Sequence, residues 1–294
     1  MRIWIVAAWA ALSLATVAAR AEPMPPAAVY TDPAPDKAFP ARSEVLHIPS
    51  GGLLINGLAY IPAGAGPHPT VVLLHGLPGN EKNLDLAQAM RRAGWVVVTF
   101  NYRGSWGSPG AYSFKSNLQD AKSVLAYVRT PEVARRLEID SAHLVMMGHS
   151  MGGWVTAVTG GKDPGLIGVA LISAADMSRL RLAPPEIRLR TARDNMETLA
   201  GVTAETLADQ FLGLSEDDSF TAAAPGLATK PLPVLSADDG LAPTTDALVS
   251  DVRGRGGSAI TTVHVATDHS WSDARIRLES EVLNWLQELP GAPK

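Results

Sequence analysis

The sequence predicts an α/β fold: a mostly parallel, eight-stranded sheet with helices on both faces and a helical cap insertion. Three observations carry that prediction. Continuous apolar runs recur at 70–75, 95–101, 144–147 and 166–172, and a strand that is apolar throughout is covered on both faces. Helical periodicity lies between these runs, with crossovers of about 20–30 residues, as parallel strands require. Finally, the stretch 144–154, LVMMGHSMGGW, joins an apolar strand to a helix through a serine set between glycines.

The elements follow in order. Residues 42–47 and 53–61 read as antiparallel strands joined at Ser50-Gly51-Gly52. After a Gly/Pro loop, 70–75 is the first buried strand. A tight turn at 76–80 leads to a helix over 82–93, with Leu84, Leu86, Ala87 and Met90 on its apolar face and Gly94 at its end. The strand 95–101 precedes a glycine-rich loop at 102–110. A helix over 118–129 stops near Pro131. The strand 144–147, the helix 151–160 and the strand 166–172 complete the first run. The rhythm then breaks, because 176–230 carries no strand signal. It shows helical patterns around 185–199 and 204–211, punctuated by Pro184, Pro185 and Pro225. The sheet resumes with a strand at 232–235, a helix near 244–253, a strand at 260–266 and a closing helix over 272–289.

Composition narrows the function. The 294 residues are 46% hydrophobic and 18% charged, enough to bury a large core. A net charge of −4 with no basic run speaks against nucleic-acid or anionic-membrane partners. Without cysteine there is no disulfide framework, thiolate metal site or cysteine nucleophile. Arg2, the apolar run 3–17 and Ala19-Arg20-Ala21 form a signal-peptide pattern with cleavage after about Ala21. The apolar run is short for a membrane span. The expected organisation is a signal peptide at 1–21, a Pro-rich linker at 22–44 and one domain at 45–294, with the cap at about 176–230. The mature protein is expected to be periplasmic or secreted, without stable membrane insertion.

The chemistry centres on Gly148-His149-Ser150-Met151-Gly152. A serine on a sharp strand-to-helix turn needs small neighbours, and the turn lifts its hydroxyl above the sheet. Ser150 is the candidate nucleophile. An unactivated hydroxyl needs a base, and His269 lies just past the last strand, where parallel sheets place their sites; a helix-entry role is the plainer alternative. The base needs a carboxylate. Asp238 and Asp239 both follow the strand 232–235, and Asp239, four residues before Pro243, has the preferred spacing. The oxyanion hole needs two backbone N–H groups. Met151 supplies one and Leu77 the other, since Pro78 has no N–H to give. His75 is expected to brace the oxyanion loop, and His149 to fill the variable elbow position. No metal-ligand spacing, P-loop or dinucleotide fingerprint occurs, so no metal or cofactor is expected.

His75-Gly76-Leu77-Pro78-Gly79, Asn101-Tyr102-Arg103-Gly104, the Ser150 elbow, Asp238-Asp239 and Asp268-His269-Ser270 together resemble the α/β-hydrolase superfamily over about residues 45–289. The likeness is nearest to the branch of dienelactone hydrolase-like proteins, bacterial esterases and prolyl-oligopeptidase-like catalytic domains. The order Ser, Asp, His is the one that superfamily uses. The resemblance implies a serine hydrolase working through an acyl-enzyme, with Ser150, Asp239 and His269 as its triad and no cofactor. Two features depart from the branch. Prolyl-oligopeptidase-like enzymes carry a propeller where this chain has a Pro-rich linker, and dienelactone hydrolases use a cysteine that this chain lacks.

The first expectation is an exported carboxylic ester hydrolase, with the apolar side chains of the insertion, Leu180 and Phe211 among them, roofing an acyl pocket or simply packing. Trp106 and Tyr112 are expected to line that pocket or to be buried. The alternative is an aminopeptidase or amidase on small peptides, reading a free amine with Glu186, Glu197, Glu205 or Asp209. An acyltransferase, and a non-catalytic binding protein on this fold, stand behind these.

Overall fold

A computed structural model describes residues 24–293; the signal-peptide expectation for 1–21 lies outside them. After a one-turn helix α1 (Ala27–Tyr30), β1 (Arg42–Ser50) and β2 (Leu53–Ile61) form a hairpin in which Ser50 pairs with Leu53. Gly51 and Gly52 take φ of 56° and 79°, the left-handed pair that a two-residue hairpin turn demands. There follow β3 (His68–Leu74), α2 (Leu84–Arg92), β4 (Val96–Phe100), α3 (Phe114–Val128), α4 (Pro131–Leu137), β5 (Ile139–His149), α5 (Met151–Gly160) and β6 (Leu166–Ile172). The insertion holds α6 (Pro185–Arg193), α7 (Ala204–Gln210) and α8 (Phe220–Leu227), with one short 3-10 turn before α6 and two between α7 and α8. The sheet closes with β7 (Leu232–Ala237), α9 (Ala242–Gly254), β8 (Ile260–Val265) and α10 (Arg275–Gln287).

The eight strands lie in the order β1-β2-β4-β3-β5-β6-β7-β8. Only β2 runs against its neighbours, and β3 to β8 are mutually parallel. This is the α/β-hydrolase fold. The apolar runs read as two-faced strands behave as such. Val72, Leu74, Leu144 and Met146 enter the core beneath α3 and α5, while Val71, Leu73, Val145 and Met147 enter the core beneath α2 and α10.

Several boundaries differ from the sequence reading. The helix α3 stops at Val128, just ahead of Pro131 as expected, and Pro131 also opens a further helix, α4, at the first helical position, where its missing N–H costs nothing. Pro225 lies inside α8, which the sequence reading left as punctuation. That helix persists because Phe220, Ala223, Ala224 and Leu227 are buried and Gly226 lies against the backbone at Gly161. The helix α3 begins earlier, at Phe114, because the Ser113 hydroxyl accepts from the Ser116 N–H. The strand β5 is much longer than 144–147 and delivers the chain directly to Ser150. The Pro-rich approach contributes to packing: Ala28 and Val29 rest on the α2 and α10 core, and the Arg92 guanidinium donates to both of their carbonyls.

Candidate active site

Ser150 sits between β5 and α5 with φ 58° and ψ −123°, a conformation that a non-glycine residue holds only when its surroundings impose it. Those surroundings are close backbone contacts. A Cβ on Gly152 would stand 2.5 Å from the carbonyl oxygens of Leu74 and His75, and one on Gly148 would stand 2.1 Å from that of Gly152. The glycines of the motif are therefore the condition under which α5 can approach β3 and the turn can close. The side chain of Ser150 makes no hydrogen bond among the described residues, and its hydroxyl borders a cleft of about 180 Å³ that His269 also lines.

The loop after β8 carries His269, whose Nδ1 donates to Asp239 Oδ2 at 2.8 Å. That bond places the ring proton on Nδ1 and leaves Nε2 as the free base. His269 is 40% exposed at the cleft while Asp239 is only 4% exposed. Burial alone would raise the Asp239 carboxyl, but hydrogen bonds from His269, the Leu241 N–H and the Ser173 hydroxyl hold it below its ordinary value. Asp239 is therefore ionised and acceptor-only, the state that orients an imidazole.

Asp238 faces the other way. Its Oδ1 accepts from His264 Nε2 at 2.9 Å, and the Ser236 hydroxyl is 2.9 Å from the opposite ring nitrogen. The Asp238 N–H donates to the Thr267 carbonyl, tying the ends of β7 and β8 together. Of the two adjacent aspartates, the structure brings Asp239 and not Asp238 to His269.

Ser173 is a site residue that the sequence reading missed. It follows β6 directly, has φ 42°, accepts from Trp271 Nε1 at 3.0 Å and donates to Asp239. Its place just past a parallel strand is the signal that marks it.

The loop after β3, the expected source of an oxyanion donor, runs past Ser150. A Cβ on Gly76 would stand 2.7 Å from that of Ser150. The N–H groups of Leu77 and Met151 donate to nothing among the described residues. His75 is buried, its Nδ1 lies 2.8 Å from the Gly76 carbonyl, and burial depresses its pKa to about 4. The loop is clamped from outside, where Trp106 Nε1 and the Thr198 hydroxyl both donate to the Pro78 carbonyl at 2.8 Å. Tyr112 is buried, with its hydroxyl on Met151 Sδ, and neither aromatic lines the cleft.

Of the two readings of the insertion's apolar residues, packing against the main core holds and the roof over the site does not. No residue of the insertion lines the Ser150 cleft. Leu207 and Phe211 are fully buried, and Phe211 stacks on Phe114 at 4.7 Å. The amphipathic helices spend their apolar faces on the main core, and the insertion touches the site through polar contacts at 197–198. Of the four acidic candidates, Glu205 approaches Arg193, while Glu197 accepts from Asn80 Nδ2 at 2.8 Å, and Asn80 lines the cleft. Among the described residues no group of three or more His, Cys, Asp or Glu side chains is placed to hold a metal ion.

The family described as serine aminopeptidase, S33, matches residues 65–217, a span that includes the loop after β3 and Ser150 but ends before Asp239 and His269. Over 121 residues the chain is 26% identical to an uncharacterized protein of Mycobacterium tuberculosis, strain H37Rv; the match spans 41% of this chain and 41% of that relative's length. A carboxyl esterase from Bacillus coagulans superposes with a TM-score of 0.62 at 14% identity, covering 84% of this chain and 98% of that one. The acylaminoacyl peptidase of Pyrococcus horikoshii gives 0.64 at 15%, covering 87% and 43%. A 2,6-dihydroxy-pseudo-oxynicotine hydrolase gives 0.63 at 18%, covering 84% and 67%. Likenesses at these identities establish the shared fold.

Proposed function

The chain belongs to the serine aminopeptidase S33 family of α/β-hydrolases, and from that premise we propose that it is a serine hydrolase cleaving small carboxylic esters through an acyl-enzyme. The observation that carries the reading is Ser150 at φ 58° and ψ −123° on the rim of a cleft shared with His269, whose far nitrogen is held by Asp239 at 2.8 Å.

In the proposed mechanism His269 Nε2 takes the Ser150 proton as Oγ attacks the ester carbonyl. The oxyanion is met by the Leu77 and Met151 N–H groups, aided by the N-terminal end of α5. Asp239 stabilises the imidazolium, which then protonates the departing alcohol. A water, deprotonated by the same imidazole, releases the carboxylate and frees Ser150. The open hydroxyl of Ser150 is consistent with a resting site whose catalytic hydrogen bond tightens once substrate is bound. The small volume of the cleft favours short acyl groups.

A second reading rests on Glu197. It is the one acidic side chain of the insertion that contacts a cleft residue, and a carboxylate there suits the free amine of a short peptide. Paired p-nitrophenyl esters and aminoacyl p-nitroanilides, assayed with wild type and Ser150→Ala, separate the two. Ester turnover that vanishes in the variant supports the esterase; preferred anilide turnover supports the peptidase. If fluorophosphonate fails to label Ser150, both fail, and a binding role on this fold takes their place. We also propose that residues 1–21 are a cleaved export signal; a mature N-terminus at about Glu22, read by mass spectrometry of protein from its native host, is the test.

A further inference from the structure

The loop after β3 is held on both sides of Leu77, the residue proposed to give an oxyanion donor. On the inner side His75 Nδ1 donates to the Gly76 carbonyl at 2.8 Å. That carbonyl shares a trans, planar peptide with the Leu77 N–H and points the opposite way, so pinning the one aims the other. A Cβ on Gly76 would stand 2.7 Å from that of Ser150, so this peptide lies beside the candidate nucleophile. On the outer side the Pro78 carbonyl accepts from Trp106 Nε1 and from the Thr198 hydroxyl, each at 2.8 Å. The Pro78 ring fixes its own φ. Between the two pinned carbonyls only Leu77 φ and ψ and Pro78 ψ are left to vary.

Trp106 holds an uncommon backbone for this contact. Its φ is 48°, a conformation that a bulky residue keeps only under constraint. Trp106 is 38% exposed, so burying the indole does not account for the strain. Its N–H donates to the Thr198 carbonyl at 3.1 Å, and its carbonyl accepts from Asn101 Nδ2 at 3.2 Å. The indole reaches Pro78 past Gly79, where a Cβ would stand 3.0 Å from Nε1. The loop that carries Trp106 has a firm base, because Arg103 Nε donates at 2.7 Å to the buried carboxylate of Asp120. Thr198 comes from the insertion, and the next two residues join it to the same loop: Leu199 bridges Ser105, and the Ala200 N–H donates to the Gly104 carbonyl.

We infer that Trp106 and Thr198 are positioning residues for the oxyanion hole: together they lock the Pro78 carbonyl and so hold the Leu77 N–H where negative charge develops. The inference rests on the ester reading above, and it gives the insertion a part in the chemistry other than covering the cleft. Neither side chain lines the cleft, so losing them lowers the rate of the chemical step and leaves ground-state binding nearly intact.

The test is a double-mutant cycle read with p-nitrophenyl acetate and its thiono analogue, whose sulfur is a poor hydrogen-bond acceptor. Trp106→Phe and Thr198→Val each remove one donor and leave the other, so each should lower kcat about threefold. The double variant should lose about thirtyfold or more, beyond the product of the single losses, with KM within about twofold. Its preference in kcat/KM for the oxo over the thiono ester should shrink about tenfold, because a displaced donor no longer distinguishes oxygen from sulfur. Thr198→Ser, which keeps the hydroxyl, should recover the loss, and the valine and serine variants carry the test if Trp106→Phe does not fold. Wild-type kcat in the double variant, or a loss that leaves the oxo-to-thiono preference unchanged, overturns the inference. An active, fluorophosphonate-labelled wild type beside unaffected variants removes the clamp's role alone. A wild type with neither turnover nor label removes the ester reading, and the clamp's role with it.

Discussion

His149 Nε2 donates to the main-chain carbonyl of His269 at 2.8 Å, and the two imidazoles stand 4.7 Å apart. The residue before the candidate nucleophile therefore holds the loop that carries the candidate base. Burial first, and the charge of His269 second, depress the His149 pKa to about 4, so its ring stays neutral with the proton on Nε2. His149→Ala should lower kcat about tenfold with a smaller change in KM, because it loosens the placement of a catalytic group and touches no substrate. His149→Gln, whose amide can donate to the same carbonyl, should recover part of that loss. Steady-state kinetics of both variants provide the check, and an unchanged kcat in His149→Ala removes the role.

The same depression has a consequence for stability. His75 and His149 both titrate near 4 in the fold and near their ordinary 6.5 in the unfolded chain. Above pH 6.5 both states are neutral at these residues and nothing is lost. As pH falls from 6.5 towards 4, the unfolded chain binds protons that the buried rings refuse, and stability declines by at most roughly 3 kcal/mol for each ring. Urea midpoints measured from pH 7.5 down to about pH 4.5 should fall, and His149→Gln should flatten part of that slope. A slope identical in wild type and variant counts against a neutral, buried His149.

Asp238 and Asp239 are neighbours in sequence and opposites in function on this reading. Asp239→Asn leaves the shape but lets His269 adopt the wrong tautomer, so kcat should drop by roughly three to four orders of magnitude. Asp238→Asn removes only the contact to His264 at the outer edge of β7 and β8, and kcat should change by no more than about threefold. The p-nitrophenyl ester assay decides between them; comparable losses in the two variants would mean that the order of roles is wrong.

Much of this was legible from residue types in order. The two-faced strands announced themselves because a central parallel strand has no polar face to show, and Val71 to Leu74 fill both cores. The closeness of Gly148, Ser150 and Gly152 is local, so the turn could be read. What escaped depends on contacts between distant segments. Pro225 inside α8 is tolerated only because Gly226 and Gly161 allow α8 to lie against the end of α5. Ser173 is an ordinary serine until Trp271 and Asp239 arrive from later strands. Amphipathic periodicity in the insertion says that a face is buried but not against what, so a roof and ordinary packing fit it alike, and Phe211 chose Phe114. The Ser236–His264–Asp238 contacts are likewise products of strand register and loop closure, which no short motif encodes.

Glu197 sets the remaining choice between ester and peptide. Its carboxylate is exposed, accepts from Asn80 Nδ2, and is held below its usual pKa first by that bond; Asn80 in turn lines the cleft. A peptide with a free amine gains from a carboxylate in that position, whereas an uncharged ester does not. If the site reads amines, Glu197→Gln should raise KM for an aminoacyl p-nitroanilide about three- to tenfold while leaving the p-nitrophenyl acetate KM within about twofold, since the contact is made alike in the ground and transition states. The effect should shrink with added salt, because an exposed pair is screened. If Glu197 serves only to hold the Asn80 loop, both substrates should change together and through kcat. Measuring KM and kcat separately for the two substrates, at two ionic strengths, distinguishes a residue that recognises an amine from one that shapes a loop.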